Sequence, residues 1–368
     1  MADDFDREYV PKLIDEASAE LHNRGKLIDR TKTFIKREVL RRDVQADDLI
    51  RWPKGMLLLG LLRAGQTDTV CSYLDNWIES GAIVSSLEDV LACQVMLEMT
   101  VSGECRKDGR YAGGGKDTAD SVHELITDGK YKRYCDKAAC FIDSYERDGE
   151  GSLPYSAKAQ NDHIYADSIG MICPFLVMYG QYTGESGYID LATLQMINFM
   201  DNAFDDASGL PYHGYRCKDH EKYGMIGWGR AVGWLMMGMA GCLASGVRSG
   251  RMSEINRSYG RLSESVLRCQ RADGLWGWNL QDPESQTDTS ASAMILYSLS
   301  IYKPEDQAER SSECISKGAA SLIGFISKDG KVMQGQAECG GFGIYPERFG
   351  SYPWSVGMTL AFMSEYGK

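Results

Sequence analysis

An all-α chain closed into an (α/α)6 barrel, a six-hairpin toroid, is the fold this sequence predicts, with residues 1–368 forming one domain. Three observations lead there. Helical periodicity dominates the chain, and its helical segments are of two kinds that alternate. Several segments of the second kind recur at roughly 60 residues, the self-similarity expected of repeated supersecondary units. No Ser/Gly/Pro-rich run is long enough to link two domains, and a chain of this length can bury one large core.

The elements follow in chain order. "YVPKLIDEASAELHNR" places apolar and charged residues at a spacing near 3.6, which predicts an amphipathic surface helix. "GMLLLGLLRAG" is instead apolar on most sides and rich in small residues, as expected of a helix surrounded by other helices. "TDTVCSYLDNWIES" returns to the outer kind and "DVLACQVMLEM" to the inner kind. Gly113 to Gly115, in "YAGGGKDT", read as a loop. "YCDKAACFIDSYE" is then outer, "DSIGMICPFLVMYG" and "GRAVGWLMMGMAGCL" inner, and "EINRSYGRLSESVLRCQ" outer. "DTSASAMILYSLS" and "SVGMTLAFMSEYG" complete the inner set. Six inner helices, each returning through an outer one, close a barrel.

Composition removes several function classes. The formal net charge of −12, with no basic stripe, argues against a nucleic-acid partner. It leaves room for an anionic small ligand, which responds to the local field of one pocket. The start "MADDFDREYV" has no basic region followed by an apolar one, and no apolar stretch reaches a membrane span without polar interruption, so neither export nor a membrane is expected. The 11 Cys are scattered without CxxC or Cys/His metal spacing. Several, such as Cys93, Cys173 and Cys242, sit in apolar runs as small hydrophobes, which fits a reducing cytoplasm. No metal and no organic cofactor is implied, and no Gly-rich strand–turn–helix phosphate motif occurs.

What stands at the starts of the inner helices carries the chemistry. "SSLEDV" brings Asp89, "IYADS" brings Asp167, "GWGRAVGW" brings Arg230 between Trp228 and Trp234, "QTDTSAS" brings Asp288 and Thr289, and "GSYPWS" brings Tyr352 and Trp354. Parallel inner helices gather these starts at one barrel end. Aromatic faces stack on sugar C–H surfaces, while carboxylates, Arg and His hold hydroxyls and carboxylates directionally, so the bowl suits a carbohydrate. Each residue has a plainer reading as well. Asp89, Asp167 and Asp288 are placed where helix caps stand, Trp228 and Trp234 suit a core, and His213 in "GLPYHGYR" follows a turn. Arg230, embedded among apolar residues, needs a partner if buried.

"HIYADSIGMICPFL", "LPYHGYR", "WGRAVGW" and "DTSASAMILYSL", in that order, resemble the unsaturated glycuronyl and rhamnogalacturonyl hydrolases of glycoside hydrolase families 88 and 105. The resemblance runs from about Trp52 to the C-terminus and is most specific from Asp167 through Trp234. It implies the (α/α)6 barrel, and it puts Asp167 in the place of the catalytic acid, with Asp89 as a second pocket carboxylate. It also makes Tyr165, His213 and Arg230 with its flanking Trp228 and Trp234 substrate contacts, and we add Trp52, Thr289 and Trp354 as further binding candidates. Tyr165 stands where the family often has Trp, and the tail "ECGGFGIYPERFGSYPW" differs from the endings of familiar members.

The chemistry so implied acts on the 4,5-unsaturated uronic acid that polysaccharide lyases leave at a non-reducing end, most directly in rhamnogalacturonan or pectin fragments. Its C4=C5 bond is a vinyl ether. Protonation at C4 places positive charge on C5 and the ring oxygen, water adds at C5, and the hemiketal opens to expel the aglycone. One carboxyl can serve as acid and then as base. An ordinary inverting glycosidase would use Asp89 and Asp167 as a pair. An epimerase would call for His in the proton-transfer roles, and a glycan-binding protein would need the aromatics but not Asp167.

Overall fold

The computed structural model describes residues 8–22, 51–106, 129–156 and 162–367. Gly113 to Gly115 lie outside them. Among the described residues twelve α-helices alternate between an outer and an inner ring. The outer helices are α1 (Val10–His22), α3 (Thr67–Glu79), α5 (Lys130–Asp143), α7 (Ser186–Ala203), α9 (Gly250–Arg268) and α11 (Ala308–Leu322). The inner helices are α2 (Trp52–Arg63), α4 (Val90–Arg106), α6 (Ala166–Thr183), α8 (Gly229–Ala244), α10 (Thr289–Ile301) and α12 (Pro353–Tyr366). Around the inner ring each helix packs on the next, from α2 through α12, and α12 closes against α2. The architecture is the (α/α)6 barrel expected from the sequence.

The two kinds of helix differ for the reason their composition suggests. α9 buries one stripe, Met252, Ile255, Tyr259, Leu262 and Val266, and leaves its charged face to water. α8 is buried at nearly every position because helices flank it on both sides and α9 covers it from outside. Small residues let the inner backbones approach closely. A Cβ on Gly60 would lie 2.3 Å from the Gly357 carbonyl oxygen, and one on Gly170 would lie 2.6 Å from that of Trp234. Glycine at these positions therefore sets the α2–α12 and α6–α8 spacing. The buried apolar residues form one continuous cluster that draws on all twelve helices.

Short strands decorate the end where the inner helices begin. β1 (His163–Tyr165), β4 (Gly214–Arg216) and β5 (Lys222–Tyr223) form an antiparallel sheet in the order β1-β4-β5. β2 (Phe204–Asp205) pairs with β3 (Leu210–Pro211), and β6 (Gly335–Gln336) pairs with β7 (Phe349–Gly350). The β1–β4 register, Tyr165 opposite Gly214, continues as a bond from the Ala166 N–H to the His213 carbonyl, 3.0 Å. This pairing delivers His213 to the first turn of α6, where Asp167 stands.

Candidate active site

Asp167 is not a helix cap. The cap position of α6 belongs to Tyr165, and no side-chain cap hydrogen bond is made there. The Asp167 carboxylate is instead held by His213, with Oδ2 3.1 Å from Nε2. His213, 2% exposed, meets the Tyr345 hydroxyl through Nδ1 at 3.0 Å. That hydroxyl also accepts the Met225 N–H, 3.0 Å. The phenol can donate to Nδ1 or accept from it, so His213 can present either an N–H or a lone pair to Asp167. The row Tyr345–His213–Asp167 is thereby able to hold the carboxyl in both protonation states.

Aromatic rings wall this row. Tyr165 lies 4.9 Å from the His213 ring and 4.4 Å from Phe342, and stacks on Tyr155 at 4.8 Å. Burial pushes the Tyr165 hydroxyl up to about 12, with the Asp167 charge adding to it. The Tyr155 hydroxyl donates to Glu88 Oε1, 2.9 Å. Burial pushes Glu88 upward, and this hydrogen bond opposes the shift. Trp228 lies 4.5 Å from His213 on the other side. Trp52 contacts Trp354 at 4.9 Å and Trp234 at 5.9 Å.

Beneath the row lies Gln336, fully buried, on which several residues converge. Its amide oxygen accepts from Trp228 Nε1 (2.8 Å), and its main-chain oxygen accepts from Trp354 Nε1 (3.1 Å) and Arg230 Nη1 (2.8 Å). Arg230 Nη2 donates to the Ala337 carbonyl, 2.9 Å, and the guanidinium lies over the Trp228 ring at 4.7 Å. Burial pulls Arg230 below its ordinary range, opposed first by Asp288 and then by Asp167. The Arg230 side chain, 2% exposed, is thus engaged with the loop that carries Tyr345.

The remaining carboxylates are helix-end groups. Asp288 caps α10, its Oδ1 accepting from the Ser290 N–H (2.9 Å) and from the Gln336 N–H (3.1 Å). Thr289, fully buried, donates its hydroxyl to the Met333 carbonyl, 2.8 Å. Asp89 accepts on Oδ2 from the Ser85 and Ser86 N–H groups at 2.9 and 3.0 Å. Its Oδ1 is buried without a partner. The Leu87–Asp89 turn packs on α6 and α2, so Asp89 belongs to the same end of the barrel as Asp167.

Asp89 carries a test of its own. Burial raises its carboxyl above the ordinary 3.8, against the pull of the Ser85 and Ser86 bonds. With the folded value raised, protonation favours the fold. That stabilisation is complete below the unfolded value and is lost as pH rises through the folded one. Ionised Asp89 therefore works against the fold at neutral pH. Asp89→Asn is expected to melt no lower than the parent at pH 7, with any advantage vanishing toward pH 4. A variant melting lower at pH 7 by a margin that shrinks toward pH 4 would show that the carboxylate's hydrogen bonds outweigh its burial.

Apolar ring faces surround the Asp167 carboxyl at the mouth where six inner helices begin, an arrangement that fits the carbohydrate-active (α/α)6 barrels. The family model described as Glycosyl Hydrolase Family 88 matches residues 28–368. The chain belongs to that family and is a glycoside hydrolase. It is similar to the unsaturated rhamnogalacturonyl hydrolase YesR of Bacillus subtilis, 23% identical over 350 residues, covering 90% of this chain and 94% of the relative. Among solved structures, a possible member of GH105 from Klebsiella pneumoniae superposes with a TM-score of 0.75 at 18% identity, covering 97% of this chain and 92% of that one. The unsaturated glucuronyl hydrolase of Bacillus sp. GL1 superposes with a TM-score of 0.61 at 16% identity, covering 91% and 94%.

The sequence reading named Asp167, His213, Tyr165 and Trp228, and the structure brings them together. It missed Tyr155, Glu88, Gln336, Phe342 and Tyr345. Only the unusual Gly- and aromatic-rich tail signalled the last two. Among the described residues no group of three or more His, Cys, Asp or Glu is placed to hold a metal ion. The ten cysteines whose side chains are described are free, and no described helix is long and apolar enough to cross a membrane.

Proposed function

We propose that the chain removes the 4,5-unsaturated uronic acid from the non-reducing end of lyase-generated oligosaccharides, most directly unsaturated rhamnogalacturonan and pectin fragments. The observation that carries this reading is the Asp167 carboxyl, free of capping duty and held by His213 at 3.1 Å. The similarity to YesR over nearly the whole chain supports the substrate class. The mouth also suits an anion, because the positive ends of six inner helices converge there.

In the proposed reaction Asp167, held at Oδ2 by the His213 Nε2–H, carries its proton on the other carboxyl oxygen and delivers it to C4. The double-bond electrons form the new C4–H bond, and positive charge appears at C5 and the ring oxygen. Water adds at C5 and gives a proton to the Asp167 carboxylate, which the His213 N–H holds throughout. The hemiketal opens and the aglycone leaves as an alcohol. The aromatic wall of Tyr165, Tyr155 and Phe342 shields the cation from bulk water and offers faces to the sugar.

The test is a screen of lyase-digested rhamnogalacturonan, pectin, ulvan and glycosaminoglycan fragments, following loss of the C4=C5 absorbance. Loss is expected with rhamnogalacturonan or pectin fragments, with deuterium at C4 when the solvent is deuterated water. Cleavage of saturated glycosides instead would make the protein an ordinary glycosidase. Binding without turnover on every substrate would make it a glycan-binding protein.

A further inference from the structure

A second cavity, of about 390 Å³, opens at the opposite face of the barrel, where the inner helices end. Arg63, on its wall, closes α2, the helix that Trp52 begins, and at 1.5 Å per residue the two are about 16 Å apart along the axis. Arg63 forks onto Glu98, with Nη2 3.0 Å from Oε1 and Nη1 on the other oxygen. Its Nε meets the Tyr297 hydroxyl at 3.0 Å and Glu365 at 3.4 Å. Gln94 donates its amide N–H to Glu98 Oε1, 3.0 Å, which fixes the amide orientation. Its carbonyl Oε1, on a side chain 7% exposed, has no hydrogen-bond partner. Pro174, Met178 and Met237 make much of the remaining wall apolar.

The described residues lining this cavity carry a net negative charge. Two carboxylates, Glu98 and Glu365, face one guanidinium among the lining residues, and the orphan Gln94 carbonyl adds an acceptor dipole. The C-terminal ends of the inner helices, each equivalent to roughly −0.5 charge, point the same way. The polarity is thus opposite to that of the catalytic mouth. A bare metal ion would need a shell of hard oxygen ligands, and no such cluster exists among the described residues. We propose that this cavity is a binding site for a small organic cation, an alkylammonium whose head lies toward Glu98 and Glu365 and whose apolar body lies against Pro174, Met178 and Met237. The inference is independent of the reaction proposed at the mouth.

Titration calorimetry of the full chain with n-butylammonium chloride at constant ionic strength tests it, with 1-butanol and potassium chloride as controls. Saturable binding with a Kd of about 1 mM or tighter is expected for the ammonium and not for the controls. Glu365→Gln is expected to weaken it about two- to fivefold. Ala244→Trp, at an exposed residue on the cavity wall, is expected to abolish it. Circular dichroism verifies that both variants are folded, and hydrolysis at the mouth should be unchanged in both. Absence of saturable heat, equal binding of 1-butanol, displacement of the ammonium by potassium, or full binding by Ala244→Trp would each overturn the proposal.

Discussion

Asp167→Asn is expected to fold as the parent does, to bind unsaturated disaccharide, and to lose at least about 100-fold in turnover, within the 100- to 10,000-fold range of general acid catalysis. The structure sharpens this expectation because it removes the competing explanation. A capping Asp could be replaced by Asn, itself a good cap, at little cost to stability or activity. Asp167 caps nothing, since Tyr165 holds the cap position and the carboxylate reaches His213. Asn can still hydrogen-bond to His213 Nε2, so the local geometry survives. What it lacks is an acidic proton for C4. Even where the carboxylate charge counts, its removal from the first turn of α6 costs at most about 1 kcal/mol of helix-dipole stabilisation, a few degrees of melting temperature. Turnover of the disaccharide, calorimetric melting and binding measured on one variant separate the outcomes. Normal turnover by Asp167→Asn would move the search for the acid to Asp89 or Asp288.

The barrel was legible in the sequence because its inner helices betray themselves by composition. A helix flanked by neighbours on three sides must be apolar nearly all round, and close backbone contacts such as Gly60 on Gly357 demand small residues. These are local properties, readable along "GMLLLGLLRAG" or "SVGMTLAFMSEYG". Asp167 and Arg230 were legible for a related reason, as charges at the edge of apolar runs. The strands were not, because two or three residues are too few to show alternation. Nor was the row beyond His213. Tyr345 lies 132 residues from His213 and reaches it only because the loop between β6 and β7 folds over the mouth. Gln336 looks like any loop glutamine until its burial shows Trp228, Trp354 and Arg230 gathered on it. Contacts of this kind are decided by tertiary closure, which no local pattern records.

Arg230→Lys is expected to lower stability and kcat/KM together although the charge is unchanged. Arg230 uses two nitrogens of one planar group to bond two successive carbonyls, Gln336 at 2.8 Å and Ala337 at 2.9 Å, while its flat face lies over Trp228. Lysine presents a single point of contact on a flexible stem and is more strongly hydrated, so it can satisfy one of these carbonyls at most in comparable geometry. A buried carbonyl left unpaired costs about 1–3 kcal/mol, and loss of the stack over Trp228 adds up to about 2 kcal/mol. The carbonyls belong to the start of the loop that carries Phe342 and Tyr345, so loosening it should also misplace the hydroxyl that holds His213 against Asp167. A fall in kcat/KM of about tenfold or more is expected, with a lower denaturant midpoint in the same variant. If the midpoint holds while kcat/KM falls, Arg230 acts by touching substrate rather than by holding the loop. If both are unchanged, the two carbonyl bonds contribute neither to the fold nor to the site, and the positive charge alone accounts for the residue.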